Sequence, residues 1–242
     1  MLEPISPQSP HTVKKAAFTQ RWNDLSFLHW RVDPALVAPL LPAGTTPDLE
    51  DGTTWVGLIP FEMSHVGVFG TPPIPYLSRF PETNVRLYAR DDRGRRGVVF
   101  RSLEAGRLLP VLAAITTYHL PYKWARMSIE RVDGSRCYRS SRRWPGPRPA
   151  SSRVQVRIGE RIEGDALAHF LTARWGMFST WYGDRTVWAP VDHAPWPLHS
   201  AELEDLDEDL VERAGISELA TGQPHVMWSP GVSVRIGRPV LL

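Results

Sequence analysis

Cysteine is nearly absent, since Cys137 is the only one among the 242 residues. A single cysteine can form neither an intrachain disulfide nor a cysteine-rich zinc site, and it is typical of a reducing compartment, so we expect a cytoplasmic protein. Stretches of about 18 consecutive apolar residues are missing as well, which excludes a membrane-spanning helix. Residues 1–16 contain prolines but no apolar core, so we expect a flexible leader there and no signal peptide.

A large net charge of either sign is also missing. The chain has 28 lysines and arginines against 26 aspartates and glutamates, for a formal charge of +2. This balance gives no support for nucleic acid as a partner. Lysine itself is scarce: beyond Lys14 and Lys15 in the leader, only Lys123 is present. Any amine chemistry in the folded part of the chain must therefore use Lys123.

The sequence signatures of metal and cofactor binding are missing too. Eight histidines are scattered along the chain, and no two of them stand four residues apart with a carboxylate between. The chain contains no glycine-rich phosphate loop, no Gly-x-Ser-x-Gly elbow and no dinucleotide fingerprint. We therefore expect no metal and no cofactor.

The residues that are present predict a folded chain built mainly of strands. Hydrophobic residues make up 42% of the sequence and include ten tryptophans, enough apolar surface to form a core. About ten short segments alternate as strands do, and short helices are predicted after Asp33 and Asp165, over 108–118 and over the acidic run 202–213. This pattern indicates an α+β fold in which a mainly antiparallel sheet twists, splits or closes into a barrel, in one domain over 17–242.

One strand, 80–88, carries a row of polar side chains. If this segment is extended, Glu82, Asn84, Arg86 and Tyr88 share one face, because side chains alternate along a strand. A carboxyl, an amide and a guanidinium in register would suit the binding of a small polar acid. The alternative is that this face simply meets water.

The segment 118–127 places Lys123 beside Tyr118, Tyr122 and Trp124. Burial among aromatic rings disfavours the charged form of an amine and so lowers its pKa. A neutral amine can trap a carbonyl group as an imine. Alternatively, the lysine stem lies along Trp124 and its ammonium reaches solvent.

Two further segments have a chemical and a structural interpretation. Five arginines between 139 and 153 occur without an acidic residue among them, which suggests either an anion or RNA patch or a basic loop. The segment His193-Ala-Pro-Trp-Pro-Leu198 is a rigid turn that could wall a pocket, although packing explains it equally well.

Four motifs resemble the acetoacetate-decarboxylase-like superfamily, and in particular its uncharacterised YqjF-like branch. The resemblance covers roughly residues 20–240. It rests on Trp30-Arg-Val-Asp-Pro34 with Leu41-Pro42, Glu82-Thr-Asn-Val-Arg86, Leu120-Pro-Tyr-Lys-Trp-Ala-Arg-Met127 and His193-Ala-Pro-Trp-Pro-Leu198. It implies a single cone-like antiparallel β-barrel with helices at its margins and a central cavity for a small molecule.

The resemblance also implies roles for single residues, and it shows one departure. The decarboxylase has Pro-Lys-Lys where this chain has Pro121-Tyr122-Lys123, so a tyrosine occupies the position of the imine-forming lysine. Adjacent side chains of a strand point to opposite faces, so Lys123 cannot simply replace that lysine. Arg31 would bind a carboxylate and Glu82 would relay a proton, while Tyr122 would donate a hydrogen bond to a carbonyl or enolate oxygen.

Together these observations predict a polar cavity for a small oxo or carboxylic acid. The catalytic candidates are Glu82, Tyr122 and Lys123, and the candidates for substrate binding are Arg31, Asn84, Arg86, Tyr118 and His193. The pocket could support a lyase-type reaction through enolate stabilisation without a Schiff base, or binding alone. The open alternatives are imine chemistry on Lys123 and a non-catalytic protein that binds a ligand, or binds RNA or another anion through the 139–153 arginines. Homo-oligomerisation is compatible with the sequence, and we expect no membrane partner.

Overall fold

A computed structural model of the chain describes residues 2–68, 70, 78–108, 119–216 and 222–242. The strands in these residues are β1 (Phe18–Val32), β2 (Thr45–Pro47), β3 (Thr54–Val68), β4 (Phe80–Asp91), β5 (Arg96–Ala105), β6 (Tyr122–Val132), β7 (Ser135–Trp144), β8 (Ser151–Arg161), β9 (Gly176–Trp181), β10 (Arg185–His193), β11 (His199–Glu208), β12 (His225–Ile236) and β13 (Val240–Leu241). The α-helices are short: α1 (Pro34–Val37), α2 (Ala166–Thr172) and α3 (Leu210–Arg213). The predicted helix over 108–118 lies almost entirely outside the described residues.

The strands form one large sheet whose pairing returns on itself. The strand order is β13-β10-β9-β5-β6-β7-β8-β11-β12-β1-β3-β4-β2, and β10 also pairs with β12 and β5 with β4. One closed circuit therefore runs through β12, β1, β3, β4, β5, β9 and β10, and we call it the seven-strand ring. A second circuit runs through β6, β7, β8 and β11 and shares β12, β1, β3, β4 and β5 with the first.

Among the shared strands, β3 and β4 are buried on both faces over most of their length. On β4, for example, Val85 and Leu87 belong to the hydrophobic cluster that also contains Val154 and Val156 of β8. Glu82, Asn84 and Arg86 point the other way and are also buried. A strand covered on both sides needs no exposed polar face, which is why β3 and β4 show weaker alternation than β8.

Most strand pairs are antiparallel, as the sequence predicts, but β5 pairs in parallel with β6 and with β9. Parallel neighbours need a long return connection. The connection from β5 to β6 spans residues 106–121, which is long enough for such a return.

The helix predicted over 202–213 is wrong for most of its length. Residues His199–Glu208 form β11, which pairs with β8, and only Leu210–Arg213 is helical. The acidic side chains of β11 meet basic ones of β8, as in the ion pairs Arg153–Asp205 and Arg157–Glu204. Cross-strand pairs of opposite charge stabilise a sheet, so the acidic run is accommodated by its neighbour and not by a helix dipole.

The segment before β1 makes several contacts with the sheet. The amide of Glu3 donates to the Gly94 carbonyl, and the Trp175 indole donates to the Ser6 carbonyl. Val13 is buried. That residues 1–16 form a flexible leader stays a prediction.

Helix α2 carries a predicted cap that can be tested. The Asp165 carboxylate accepts a hydrogen bond of 2.7 Å from the Ala168 amide, and the carbonyl of Leu171 at the other end accepts from Arg86. Replacing Asp165 by alanine should lower the free energy of unfolding by about 1 kcal/mol, because the first helical amides lose their acceptor. Urea unfolding measures this, with Asp165→Ser as the control that keeps a side-chain oxygen. Equal losses in the two variants would contradict the capping role.

Candidate functional site

The seven-strand ring surrounds a pocket of about 70 Å³. Every strand of the ring contributes at least one lining residue, and β6, α2 and the turn after β10 add others. On β1, Trp22 and Leu25 both line the pocket although they are three residues apart and would lie on opposite faces of a regular strand. A bulge at Asp24, whose φ is 48°, interrupts the alternation between them. This bulge is what brings Trp22 to the same side as the rest of the wall.

Glu82 and Tyr122 form the acidic corner of the pocket. The Tyr122 hydroxyl donates a hydrogen bond of 3.2 Å to Glu82 Oε2. Burial raises the pKa of Glu82 to about 8, only partly opposed by this hydrogen bond. Burial, together with the nearby Glu82, also raises the pKa of Tyr122 well above its ordinary value. Both groups therefore carry their protons at neutral pH. Glu82 can donate its proton to an oxygen atom of a ligand, and Tyr122 can do so by turning its single hydroxyl hydrogen from Glu82 to that oxygen.

Arg86 is one of two arginines that line the pocket. Its side chain is buried, with Nε donating to the Tyr88 hydroxyl at 3.2 Å and Nη2 to the Leu171 carbonyl at 2.9 Å. Its guanidinium also lies 5.8 Å from the centre of the Phe27 ring. Within the described ranges, no carboxylate forms an ion pair with it. A buried guanidinium without a counter-charge is costly, and an anionic ligand would compensate it.

A second arginine of the pocket has an ion-pair partner. Arg174 lines the same wall and forms a buried ion pair with Asp48, which also pairs with Arg96. Its Nη2 atom is buried and has no hydrogen-bond partner among the described residues. Arg86 therefore differs from Arg174 in having no carboxylate beside it, while Arg174 keeps one donor atom unused.

Two further polar groups complete the walls. The Asn84 side-chain oxygen is buried and has no partner among the described residues. The Nδ1 atom of His193 lies 2.7 Å from the Ala194 carbonyl, and its ring packs against Trp175 and Trp196 at centroid distances of 4.4 and 4.8 Å. Burial lowers the pKa of His193 to about 4, so the imidazole is neutral at physiological pH.

Arg31 does not line this pocket. It is exposed, and its guanidinium lies over the Trp55 ring at 5.1 Å. Arg31 stands six residues beyond Leu25 on β1, roughly 20 Å along the strand at 3.3 Å per residue. Of the two arginines predicted to bind substrate, Arg86 lines the pocket and Arg31 does not.

Lys123 also lies outside the pocket lining. On the parallel pair β5–β6, Leu103 is opposite Tyr122 and Glu104 is opposite Lys123. Leu103 and Tyr122 both line the pocket, so Glu104 and Lys123 share the other face. Burial and the Arg142 guanidinium lower the pKa of the Lys123 amine, while Glu104 acts in the opposite sense. Tyr118, the remaining predicted residue, lies outside the described residues.

The 139–153 arginines lie mainly on strands and not in a basic loop. Arg139 pairs with Glu130 and Arg153 pairs with Asp205, while Arg142 forms a buried ion pair with Glu104. Arg143 lies over the Trp124 ring at 4.9 Å. Much of this positive charge is thus compensated by acidic residues that are distant in the sequence.

Some residues of the pocket were not predicted from the sequence. Trp22 and Arg174 line it, and His29 contacts the Tyr88 hydroxyl at 2.7 Å behind Arg86. These residues come from distant parts of the chain, and no local pattern distinguishes them from core residues. Trp196, which also lines the pocket, lies in the 193–198 turn that was expected to wall one.

Two negative findings concern the described residues alone. In these ranges, no three histidine, cysteine, aspartate or glutamate side chains come together in a way that could hold a metal ion. No helix in the same ranges is both long and apolar enough to cross a membrane.

The overall architecture matches that of acetoacetate-decarboxylase-like enzymes. The acetoacetate decarboxylase of Legionella pneumophila superposes with a TM-score of 0.64 over 96% of this chain and 92% of its own, at 11% identity. The enduracididine biosynthesis enzyme MppR, solved in complex with pyruvate, superposes with a TM-score of 0.63 over 96% of this chain and 91% of its own, at 15% identity. At these identities the likeness defines the fold alone.

The sequence comparison is more specific. The model of the DUF2071 family, described as an uncharacterized conserved protein, matches residues 19–233. The uncharacterized protein YqjF of Bacillus subtilis (strain 168) is 32% identical over 201 residues, which cover 82% of this chain and 81% of YqjF. The chain belongs to the DUF2071 family, and the predicted resemblance to YqjF is confirmed.

Proposed function

We propose that the protein binds a small oxo or carboxylic acid in this pocket, and that the seven-strand ring works as a cone-like barrel with the pocket as its central ligand cavity. The observation that carries the proposal is Arg86, a buried guanidinium with no ion-pair partner among the described residues. A ligand carboxylate would supply the missing charge through charge-assisted hydrogen bonds. The pyruvate complex of MppR, a protein of the same fold, supports this ligand class by analogy.

The other polar groups that line the pocket suit a carbonyl group. With the carboxylate at Arg86, the protonated Glu82 and the Tyr122 phenol can donate to the carbonyl oxygen of the same ligand, and Asn84 offers a further polar group. Donors of this kind stabilise negative charge that develops on oxygen, as in an enolate. The proposal therefore includes lyase-type chemistry through an enolate. It includes no imine, because Lys123 lies on the opposite face of β6.

Titration calorimetry with pyruvate tests the binding, using Arg86→Gln and Arg31→Gln as a matched pair. We expect Arg86→Gln to weaken binding by about 10- to 100-fold, since hydrogen bonds to charged groups contribute about 1.5–3 kcal/mol each. Arg31→Gln should bind like the unmodified protein, because Arg31 is exposed and outside the pocket. The thermal midpoint of each variant, measured without ligand, shows whether it is folded.

Three outcomes would overturn the proposal. Two of them are the absence of pyruvate binding and a loss in Arg31→Gln as large as that in Arg86→Gln. The third is a reduced adduct on Lys123 when the protein is treated with a β-keto acid and borohydride and then weighed by mass spectrometry, because that adduct requires the imine route.

A further inference from the structure

We propose that His193 acts as a base which removes a proton from the carbon next to the ligand's carbonyl group, so that the protein catalyses enolisation of a 2-oxo acid. This inference rests on the function proposed above and adds a reaction and a residue to it. Three features of the structure support it: the position of His193 across the ring, the fixed orientation of its imidazole, and the donors on the facing wall.

The position follows from the strand order. His193 ends β10 and Glu82 begins β4, and these strands are separated by β5 and β9 in one direction and by β3, β1 and β12 in the other. They therefore lie on facing sides of the seven-strand ring, and both residues line the same pocket. A ligand between them meets hydrogen-bond donors on the β4 side and an imidazole on the β10 side.

The orientation follows from the contacts of the ring. Because Nδ1 lies 2.7 Å from a carbonyl oxygen, of Ala194, it must carry the proton, and the neutral ring then has its lone pair on Nε2. The contact with Ala194 is the only hydrogen bond of the ring among the described residues, so Nε2 has no partner there. Trp175 and Trp196 pack against the ring and restrict its rotation. The lowered pKa of His193 agrees with this neutral form.

The proposed step is balanced within the pocket. The bond between C3 and hydrogen breaks, and its proton goes to His193 Nε2. The electron pair of that bond forms the C2–C3 double bond, and the carbonyl π pair moves to oxygen, which takes the Glu82 proton while Tyr122 donates a hydrogen bond to it. Reversal returns a proton from Nε2 to carbon and one from the enol to Glu82. The substrate class is a 2-oxo acid with at least one hydrogen on C3, and no co-reactant is needed.

Proton NMR in deuterium oxide tests this step with pyruvate as the probe, because a turnover in both directions replaces a methyl proton by deuterium whenever the Nε2 proton exchanges with solvent before it returns to carbon. Near neutral pH we expect the protein to speed the loss of the methyl signal well above the rate in buffer. His193→Gln should slow this exchange by about 100-fold, the lower end of what a positioned base contributes. His199→Gln is the control, because His199 begins β11 outside the pocket lining and should leave the exchange rate unchanged. His193→Asn serves as a second variant if the glutamine variant has a lowered thermal midpoint.

Calorimetry on the same samples separates this inference from the proposed function. Binding of pyruvate without exchange, or exchange at equal rates in the unmodified protein and the folded His193 variants, would overturn the inference and leave the binding function intact. Absence of pyruvate binding would overturn both. Exchange that depends on His193, with binding retained in His193→Gln, is the expected result.

Discussion

Replacing Glu104 by glutamine should lower the free energy of unfolding by about 3–5 kcal/mol, because it leaves a buried guanidinium without its counter-charge. Glu104 and Arg142 are among the most deeply buried charged side chains, at 0% and 2% exposure. Arg142 Nε donates to Glu104 Oε1 at 3.1 Å, and Ser102 completes the cluster through hydrogen bonds to both partners. Lys123, the residue opposite Glu104, would gain an uncompensated positive neighbour. The thermal midpoint should fall by about 10 °C for a chain of this size.

The matched control is the exposed ion pair on the same strand. Arg139 precedes Arg142 by three residues on β7 and pairs with Glu130, with side chains 44% and 51% exposed. Glu130→Gln should therefore cost less than about 1 kcal/mol, because solvent screens this pair. The double variant Glu104→Leu/Arg142→Met should be more stable than Glu104→Gln, since it removes both buried charges. Similar losses in Glu104→Gln and Glu130→Gln, measured by urea unfolding, would show that burial does not govern this cluster.

The sequence predicts which side chains share one face of β4, because this depends only on local geometry. Glu82, Asn84 and Arg86 are two residues apart, and an extended chain places such residues on one side whatever surrounds it. The same alternation separates Tyr122 from Lys123 and predicts that only one of them faces the pocket. The caps at Asp33 and Asp165 are equally local, and both side chains accept the expected amide.

Properties that depend on distant parts of the chain were not predictable in this way. Arg31 was assigned to the pocket from its place in a motif, but its distance along β1 from the pocket depends on the full length of the strand. Conversely, Trp22 and Arg174 reach the pocket through the bulge in β1 and the segment after α2. The acidic run 202–208 became a strand because β8 offers basic partners, and a strand partner is not visible in a local charge pattern.

Ionisation of Glu82 should lower the free energy of unfolding at alkaline pH, and the substitution Glu82→Gln should remove this loss. In the unfolded chain Glu82 loses its proton near its ordinary pKa of 4.5, whereas in the folded chain its pKa is raised to about 8. Between these values the folded state binds more protons than the unfolded state, so stability falls as pH rises from about 4.5 to about 8 and then levels off. The fall is on the order of 5 kcal/mol, since one pKa unit corresponds to about 1.4 kcal/mol. Glutamine has no proton to lose, so the variant should be the more stable protein at pH 8.5.

Two histidines, His193 and His29, should also make stability depend on pH, but they lower it as the pH falls and not as it rises. The pKa of His193 is lowered to about 4 and that of His29 lies well below its ordinary value, so both reduce stability as pH falls below about 6.5. Both histidines are present in Glu82→Gln as well. The difference in unfolding free energy between the variant and the unmodified protein therefore isolates Glu82.

Urea unfolding of both proteins at half-unit steps from pH 5 to 9 measures this difference. We expect the advantage of Glu82→Gln to grow steadily up to about pH 8 and then to stay constant, because above that pH Glu82 is ionised in both states. Glu160→Gln, an exchange at an exposed carboxylate of β8, should give a flat difference. A flat difference for Glu82→Gln as well would mean that the Glu82 carboxyl is not protonated in the folded protein, and it could then not deliver a proton to a ligand oxygen. The stability curve thus tests, without any ligand, the protonation state on which the proposed chemistry depends.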